Sequence, residues 1–416
     1  MKTVNLDFLI QIKEQSKKTL NENLNQLFKF DEPILLYDVV EGSRMWPLDK
    51  EGGNPKDNAS YMFYKIHEGL KNHKHDIWFL CSDLNIKKRY EKFCILTDNE
   101  KKFNLLCFPF SIKTGFSYWT DNDIRKLNKI PNKWNFCQLT SNPQTVRVAT
   151  IDRFHKNKNF QYSYIPQFHF EKNEIIYHRM YYEEENEPKW WNHLIKFKNG
   201  FKLNSTKILT ELDVNHRLVD MSIDLVHNPE HTFVNDIRLN KEVFNHTLPI
   251  ENHESCCDVV IETYCAGPTF FTEKTWKEIF FERPFILMGG KGYNKALQNL
   301  GFEIFEEIFD YSFDHESHTY TRMELFWEQI ERYINLNVKD FESRLMIINE
   351  KLKYNRKLYI DYMKNFNSIF KIFEQDNSHI DNSYLMYPHQ NDHLFNDILD
   401  NQFKTLKKAC TGFFDV

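Results

Sequence analysis

The sequence predicts an α/β protein built on parallel sheets. Three observations predict it. Runs that are apolar throughout, such as Ile34-Leu35-Leu36-Tyr37, Ile77-Trp78-Phe79-Leu80-Cys81, Val259-Val260-Ile261 and Phe285-Ile286-Leu287-Met288, have the length of strands buried on both faces. Segments of helical period separate these runs, and strands that alternate with helices pair in parallel. The chain has 416 residues, which at roughly 150 residues per domain makes two or three domains.

Taken in order, residues 1–30 read as a helix, with apolar positions at Leu6, Leu9, Ile10 and Ile12, then Leu20, Leu24 and Leu27. Pro33 ends it. The strand at 34–40 leads into a polar loop, Glu41-Gly42-Ser43-Arg44, and a flexible turn at 51–55. A helix at 59–72 precedes the strand 77–81, which ends in the polar cluster Ser82-Asp83-Leu84-Asn85. A short basic helix at 87–93 follows, then strands at 94–96 and 105–108. Residues 110–134 interleave aromatics with Lys and Arg, which suits base stacking with phosphate contact and equally suits a connector with snorkelling lysines.

A second domain begins at Asn135. Residues 137–154 give a strand, loop and helix, 162–170 a strand-rich stretch, 177–191 an acidic, aromatic loop, and 218–226 a helix. Trp190-Trp191 reads as acceptor surface or as core. Helical period returns at 321–334 and 340–373, and a last helix lies at 393–408. The predicted domains are therefore 1–134 and 135–375, with a tail at 376–416.

Composition excludes several classes. At 41% hydrophobic and 27% charged, the chain reads as a folded soluble protein. No run approaches the ~18 apolar residues of a membrane span, and the opening MKTVNLDFLIQIKEQSKKTL lacks the apolar centre of a secretory signal, so a cytoplasmic location is expected. The eight cysteines show neither CxxC pairs nor zinc spacing and read as reduced core thiols. Asp121-Asn122-Asp123 has metal-binding DxD spacing, but it precedes Ile124-Arg125-Lys126-Leu127 and reads as a helix cap. His389, Asp392 and His393 have metal-compatible spacing without an evident third ligand outside that helix turn, so no metal site is expected.

Net charge is −5, yet residues 1–135 carry 22 Lys+Arg against 18 Asp+Glu while the remainder carries 32 against 41. The mild positive bias of the first half would favour an anionic partner. Gly (12), Pro (13) and Ala (five) are scarce beside Phe (37) and Tyr (20). Their codons are GC-rich, so the source genome is expected to be AT-rich, as in many phages and some low-GC bacteria.

Residues 258–314 carry the densest signal. The strand 259–261 ends at Glu262 and Thr263, turns through Ala266-Gly267-Pro268, and gives way to a helix at 272–282 that stops before Pro284. A second strand, 285–288, runs into Gly289-Gly290-Lys291-Gly292 and another helix. Open α/β sheets bind ligands outside the carboxyl ends of their strands, where helix N-termini collect. By i, i+4 spacing, Glu273, Lys274, Lys277 and Glu278 share one helix face, and Trp276, Ile279 and Phe280 the other, so the charged face is predicted to look outward. One reading makes this a donor site, with Glu273 accepting ribose hydroxyls, Lys274 facing a diphosphate and the glycine turn offering amides to phosphate. The same spacing also describes a surface helix with Glu273/Lys277 and Lys274/Glu278 pairs capped by Thr272.

The segment Phe270-Phe271-Thr272-Glu273-Lys274-Thr275-Trp276-Lys277-Glu278-Ile279, with Arg283-Pro284-Phe285-Ile286, Gly289 and Gly301-Phe302-Glu303-Ile304-Phe305, resembles the donor-binding half of GT-B-fold glycosyltransferases of bacteria and phages. It is also similar to the TEK element of α-1,3-fucosyltransferases. The firm match spans about 60 residues, with a weaker one beginning near Asn135. There Gln144-Thr145-Val146-Arg147 stands where the pattern has an "HR" helix start, without its histidine.

The resemblance implies two Rossmann-like domains facing a cleft. It implies that Glu273 holds the nucleotide ribose and Lys274 faces the diphosphate of a UDP- or GDP-linked sugar. Thr272, Gly289, Gly290, Gly292 and Arg147 would complete the donor site, with Lys291 as a further cation. Transfer to a hydroxyl needs a general base, and the carboxylates at strand ends of the first, acceptor-binding domain are Asp38, Glu41 and Asp83. The expected acceptor is a hydroxymethylated pyrimidine of phage DNA, with a lipopolysaccharide or capsular glycan as the alternative. A non-catalytic nucleotide-binding or scaffold protein is the reading from another class.

Overall fold

The computed structural model describes residues 1–6, 17–38, 58–108, 124–140 except 126, 145–164 except 155, 250–374 except 264 and 266–268, and 398–411. The chain divides into two compact units. The first comprises Met1–Ile112, Pro268–Phe270 and Met363–Val416, and the second Lys113–Gly267 and Phe271–Tyr362. Among the described residues each holds a four-stranded, all-parallel sheet, so the α/β class with parallel sheets is what the chain adopts.

In the first unit the strands β1 (Lys2–Asn5), β2 (Ile34–Asp38), β3 (Ile77–Cys81) and β4 (Phe103–Cys107) lie in sequence order. Between them run α1 (Lys17–Leu27), α2 (Asn58–Leu70) and α3 (Ile86–Thr97). The helix predicted over 1–30 is corrected at its start. Val4 and its neighbours pair with β2 in the register Lys2↔Ile34, and that pairing outweighs the local helical period of Leu6 and its successors. The strand predicted at 94–96 is also corrected, because α3 continues through it. Tyr90, Phe93 and Cys94 turn one helical face into the core and leave Ile95 74% exposed. Phe63, Phe79, Phe93 and Phe103 meet edge to face between the helices and the sheet.

The second unit contains β5 (Trp134–Thr140), α4 (Thr145–Phe154), β6 (Phe160–Tyr164), α5 (Ile250–His253), β7 (Ser255–Ile261), α6 (Glu273–Phe280), β8 (Phe285–Met288) and α7 (Tyr293–Asn299). Then follow a 3-10 turn at Tyr311–His315, α8 (Thr319–Ile334), α9 (Val338–Leu345) and α10 (Asn349–Glu374), whose residues from Met363 on belong to the first unit. The single helix predicted over 340–373 is broken by a 3-10 turn, Met346–Ile348, which turns Ile348 into the core. Trp276, fully buried, is the centre of this core, ringed by Phe271, Phe302 and Tyr359. The last helix among the described residues, α11, is Asp400–Thr411, so the helix predicted over 393–408 is interrupted at 398–399 and its first residues lie outside the described ones; α11 packs on β4 in the first unit.

Candidate functional site

Strand order decides where a ligand site is to be sought. The second sheet runs β6-β5-β7-β8. From β5 the chain crosses α4 to β6 on one side, and from β7 it crosses α6 to β8 on the other, so among the described residues the winding reverses between β5 and β7. Open α/β sheets take ligands at the carboxyl ends of the strands flanking such a reversal. Here those ends are Thr140 and Ile261, and the helices that follow carry Arg147 and the Glu273-Lys274 pair.

Glu262, the residue after β7, organises this edge. It is fully buried, and its carboxylate accepts from the Thr272 amide (3.0 Å), the Thr272 hydroxyl (2.6 Å), the Thr275 hydroxyl (2.5 Å) and the Thr263 amide (3.3 Å). Thr272 is the N-cap of α6, in extended conformation, with its hydroxyl accepting from the Lys274 amide at 3.4 Å. The Lys274 ammonium lies 3.1 Å from the same hydroxyl and 3.0 Å from Glu273 Oε1. Both charged side chains reach solvent, at 17% and 18% exposure. Burial pushes the Glu273 carboxyl up, but the ammonium groups of Lys274 and Lys277 overcome it and hold the pKa at about 2. Glu273 is therefore an anion at any physiological pH, and its position at a helix N-terminus favours that charge.

The charged face of α6 does not look outward beyond its first turn, which corrects the sequence expectation. Lys277 and Glu278 are 1% and 3% exposed. For Glu278 the reason lies in β7, which contains buried Asp258. Burial and the neighbouring Asp258 push Glu278 well above the usual carboxylate range, and burial likewise raises Asp258. The side-chain hydrogen bond between the two works in the same sense on Glu278, favouring its protonated form, and in the opposite sense on Asp258. Arg283 closes the cluster: its Nε meets Asp258 Oδ2 at 3.2 Å, and its Nη2 donates to the Asn252 and Ser255 carbonyls. The Lys274/Glu278 surface pair does not describe this helix, because Glu278 is buried; Lys277 does act on Glu273, but from a buried position.

The glycine turn also differs from expectation. The Gly292 amide donates to the Asp314 carbonyl (2.8 Å), and the Asn294 and Lys295 amides donate to the Asp314 carboxylate (3.1 and 3.0 Å). Those amides are committed to the protein, not held out for phosphate. A Cβ on Gly289 would lie 2.3 Å from the Tyr293 ring, and Gly292 has φ +79°. The turn is glycine-rich because a fully buried tyrosine packs on it and a left-handed residue starts α7. Gly289→Ala is accordingly expected to cost about 1–3 kcal/mol by overpacking, read as a lowered urea midpoint. Lys291 is exposed, with its ammonium 2.8 Å from Ser317 Oγ.

Arg147 is 2% exposed, its Nε donating to the Ile261 carbonyl at 3.0 Å, while Gln138 of β5 donates to the Arg147 carbonyl at 3.0 Å. Side chains from β5 and α4 thus tie the two strands at the reversal. Arg322 ties β8 to it, donating to the carbonyls of Gly289 (3.2 Å) and Cys265. Burial pushes the Cys265 thiol up to about 11 in the field of Arg322, Arg147 and Glu262. Glu262, Gln138, Arg322 and Asp314 were not singled out from sequence. Glu262 had a signal, being the first carboxylate after a wholly apolar strand.

In the first unit, Asp83 is fully buried. One oxygen accepts from the Asn85 and Thr269 amides (2.9 and 3.0 Å), and the other faces Arg89 Nε at 3.0 Å. This is an anchor for a turn, not a base within reach of an acceptor. Asp38 ends β2, but its side chain lies outside the described residues. So do Glu41, Asp121, Asp123, Trp190, Trp191, His389, Asp392 and His393.

All eight cysteines are free and buried. Among the described residues, no cluster of His, Cys, Asp and Glu is arranged to hold a metal ion, and no helix is long and apolar enough to cross a membrane. Comparison with family models, curated proteins and solved structures gives no match.

Proposed function

We propose that the chain is a GT-B-like glycosyltransferase that moves a sugar from a UDP- or GDP-linked donor to a hydroxyl acceptor. The observation that carries this reading is the reversal of winding between β5 and β7, with the Glu273-Lys274 pair at the helix N-terminus beside it. An anionic Glu273 accepts from two vicinal ribose hydroxyls, and Lys274 meets the charge that develops on the departing diphosphate. The acceptor oxygen attacks the anomeric carbon, the bond from that carbon to the diphosphate oxygen breaks, and the acceptor proton passes to a carboxylate of the first unit. Asp38 and Glu41 are the carboxylates proposed for that step.

The test is thermal stabilisation by a panel of nucleoside diphosphates and their sugars, on wild type and Lys274→Ala. A donor at 100 times its Kd stabilises by about 2.7 kcal/mol. One nucleotide family is expected to stabilise the wild type, and the substitution is expected to remove the effect. Stabilisation by none of them overturns the reading.

For the acceptor we propose a hydroxymethylated pyrimidine in DNA, supported by the positive bias of residues 1–135. DNA affinity that falls steeply between 50 and 200 mM salt supports it. Transfer only to a soluble glycan, insensitive to salt, replaces DNA by a lipopolysaccharide or capsular acceptor.

A further inference from the structure

We infer that Glu262 is a positioning residue that sets the Lys274 ammonium for the donor diphosphate, an inference that rests on the donor-site reading above. A carboxylate offers only acceptors, and all four hydrogen bonds that Glu262 makes come from donors: two hydroxyls and two amides. Each oxygen takes one hydroxyl and one amide. A carboxamide at the same place would set its NH2 against one such hydroxyl and amide, whichever way it is turned. The site therefore demands a carboxylate, not merely a polar group of that size.

The consequence passes through Thr272. Its hydroxyl has one proton, and that proton goes to Glu262 Oε2 at 2.6 Å. The lone pairs of the same oxygen are thereby turned towards α6, where they accept from the Lys274 amide (3.4 Å) and the Lys274 ammonium (3.1 Å). Glu262 thus fixes the orientation of the hydroxyl, and the hydroxyl fixes where the ammonium rests. Thr263, the next residue, supplies a further oxygen to that ammonium at 3.5 Å. A fully buried charge at the end of β7 in this way determines the place of a solvent-reaching charge at the start of α6. Glu273 Oε1 holds the same ammonium at 3.0 Å, so the hydroxyl shares that task; a nucleoside carries no phosphate for the cation to meet, and its affinity depends on the relay less than that of the diphosphate does.

The experiment is titration calorimetry of the full chain with the preferred nucleoside diphosphate and with the matching nucleoside, on wild type, Glu262→Gln and Lys274→Ala. Glu262→Gln is expected to weaken the diphosphate by about 10-fold or more, the scale of a lost charge-assisted contact, with a clearly smaller change in nucleoside affinity. Loss of both affinities together assigns Glu262 to general support of the loop and overturns the inference. Unchanged diphosphate affinity in Glu262→Gln, with Lys274→Ala defective, overturns it while the donor-site reading stands. No nucleotide binding by the wild type overturns both. If Glu262→Gln does not fold, Thr272→Val breaks the same relay at its middle and is judged by the same comparison.

Discussion

Arg283→Leu is expected to lower the free energy of unfolding by about 3–5 kcal/mol, the scale of breaking a buried ion pair by removing one partner. The guanidinium is 6% exposed and satisfies the Asp258 carboxylate together with the carbonyls of Asn252 and Ser255. Without it, Asp258 keeps only the Asn252 side-chain amide and Ser255 hydroxyl, at 2.9 and 3.0 Å, and its hydrogen bond with Glu278. A buried carboxylate with that company is left undercompensated. Urea unfolding followed by tryptophan fluorescence measures the loss. Combining Arg283→Leu with Asp258→Leu removes the stranded charge and is expected to recover much of it. A single substitution costing less than about 1 kcal/mol would show that the cluster does not depend on the guanidinium.

Glu273→Gln is expected to cost up to about 3 kcal/mol at pH 7 and nothing near pH 2, because the folded pKa of Glu273 is about 2 against an ordinary 4.5. A depressed carboxyl stabilises the fold above its unfolded pKa, and that contribution is lost as pH falls from about 4.5 to 2. Glu278 works the other way. Its raised pKa gives a contribution that is complete below the ordinary carboxylate range and declines as pH rises through the folded value. Total stability against pH therefore mixes the two signs. The difference between wild type and Glu273→Gln, measured from pH 2 to 7, isolates the first. A difference that stays constant over that range would mean Glu273 is not held by Lys274 and Lys277.

The succession β7, α6, β8, α7 was legible because each element carries its own local signal. The strands are apolar runs, Thr272 is a cap, Pro284 a stop and Gly292 a start. What the sequence left hidden depends on partners distant along the chain. β1 is a strand because Pro33 and Ile34 lie beside it, and four residues have too little pattern to compete with helical spacing. Lys277 and Glu278 form a charged stripe with Glu273 and Lys274 on any helical wheel. Whether that stripe meets water or a strand depends on Asp258, 20 residues before Glu278. A lone Asp in an apolar strand, with Arg283 just beyond the helix, was the trace of that cluster. The use of the Gly292 amide was hidden for a similar reason, since it and the amides of Asn294 and Lys295 pair with Asp314 some 20 residues on.

The first unit is assembled from both ends of the chain, and α11 covers its sheet by setting Phe403 against Trp78 at 5.2 Å and Lys407 over the same ring at 4.2 Å. On a ribosome adding about 5–20 residues per second, roughly 15–60 s separate the emergence of β4 from that of α11. The nascent sheet spends that interval with Trp78 uncovered. Residues 113–362 are synthesised within it, so the whole of the second unit emerges before the sheet of the first is covered.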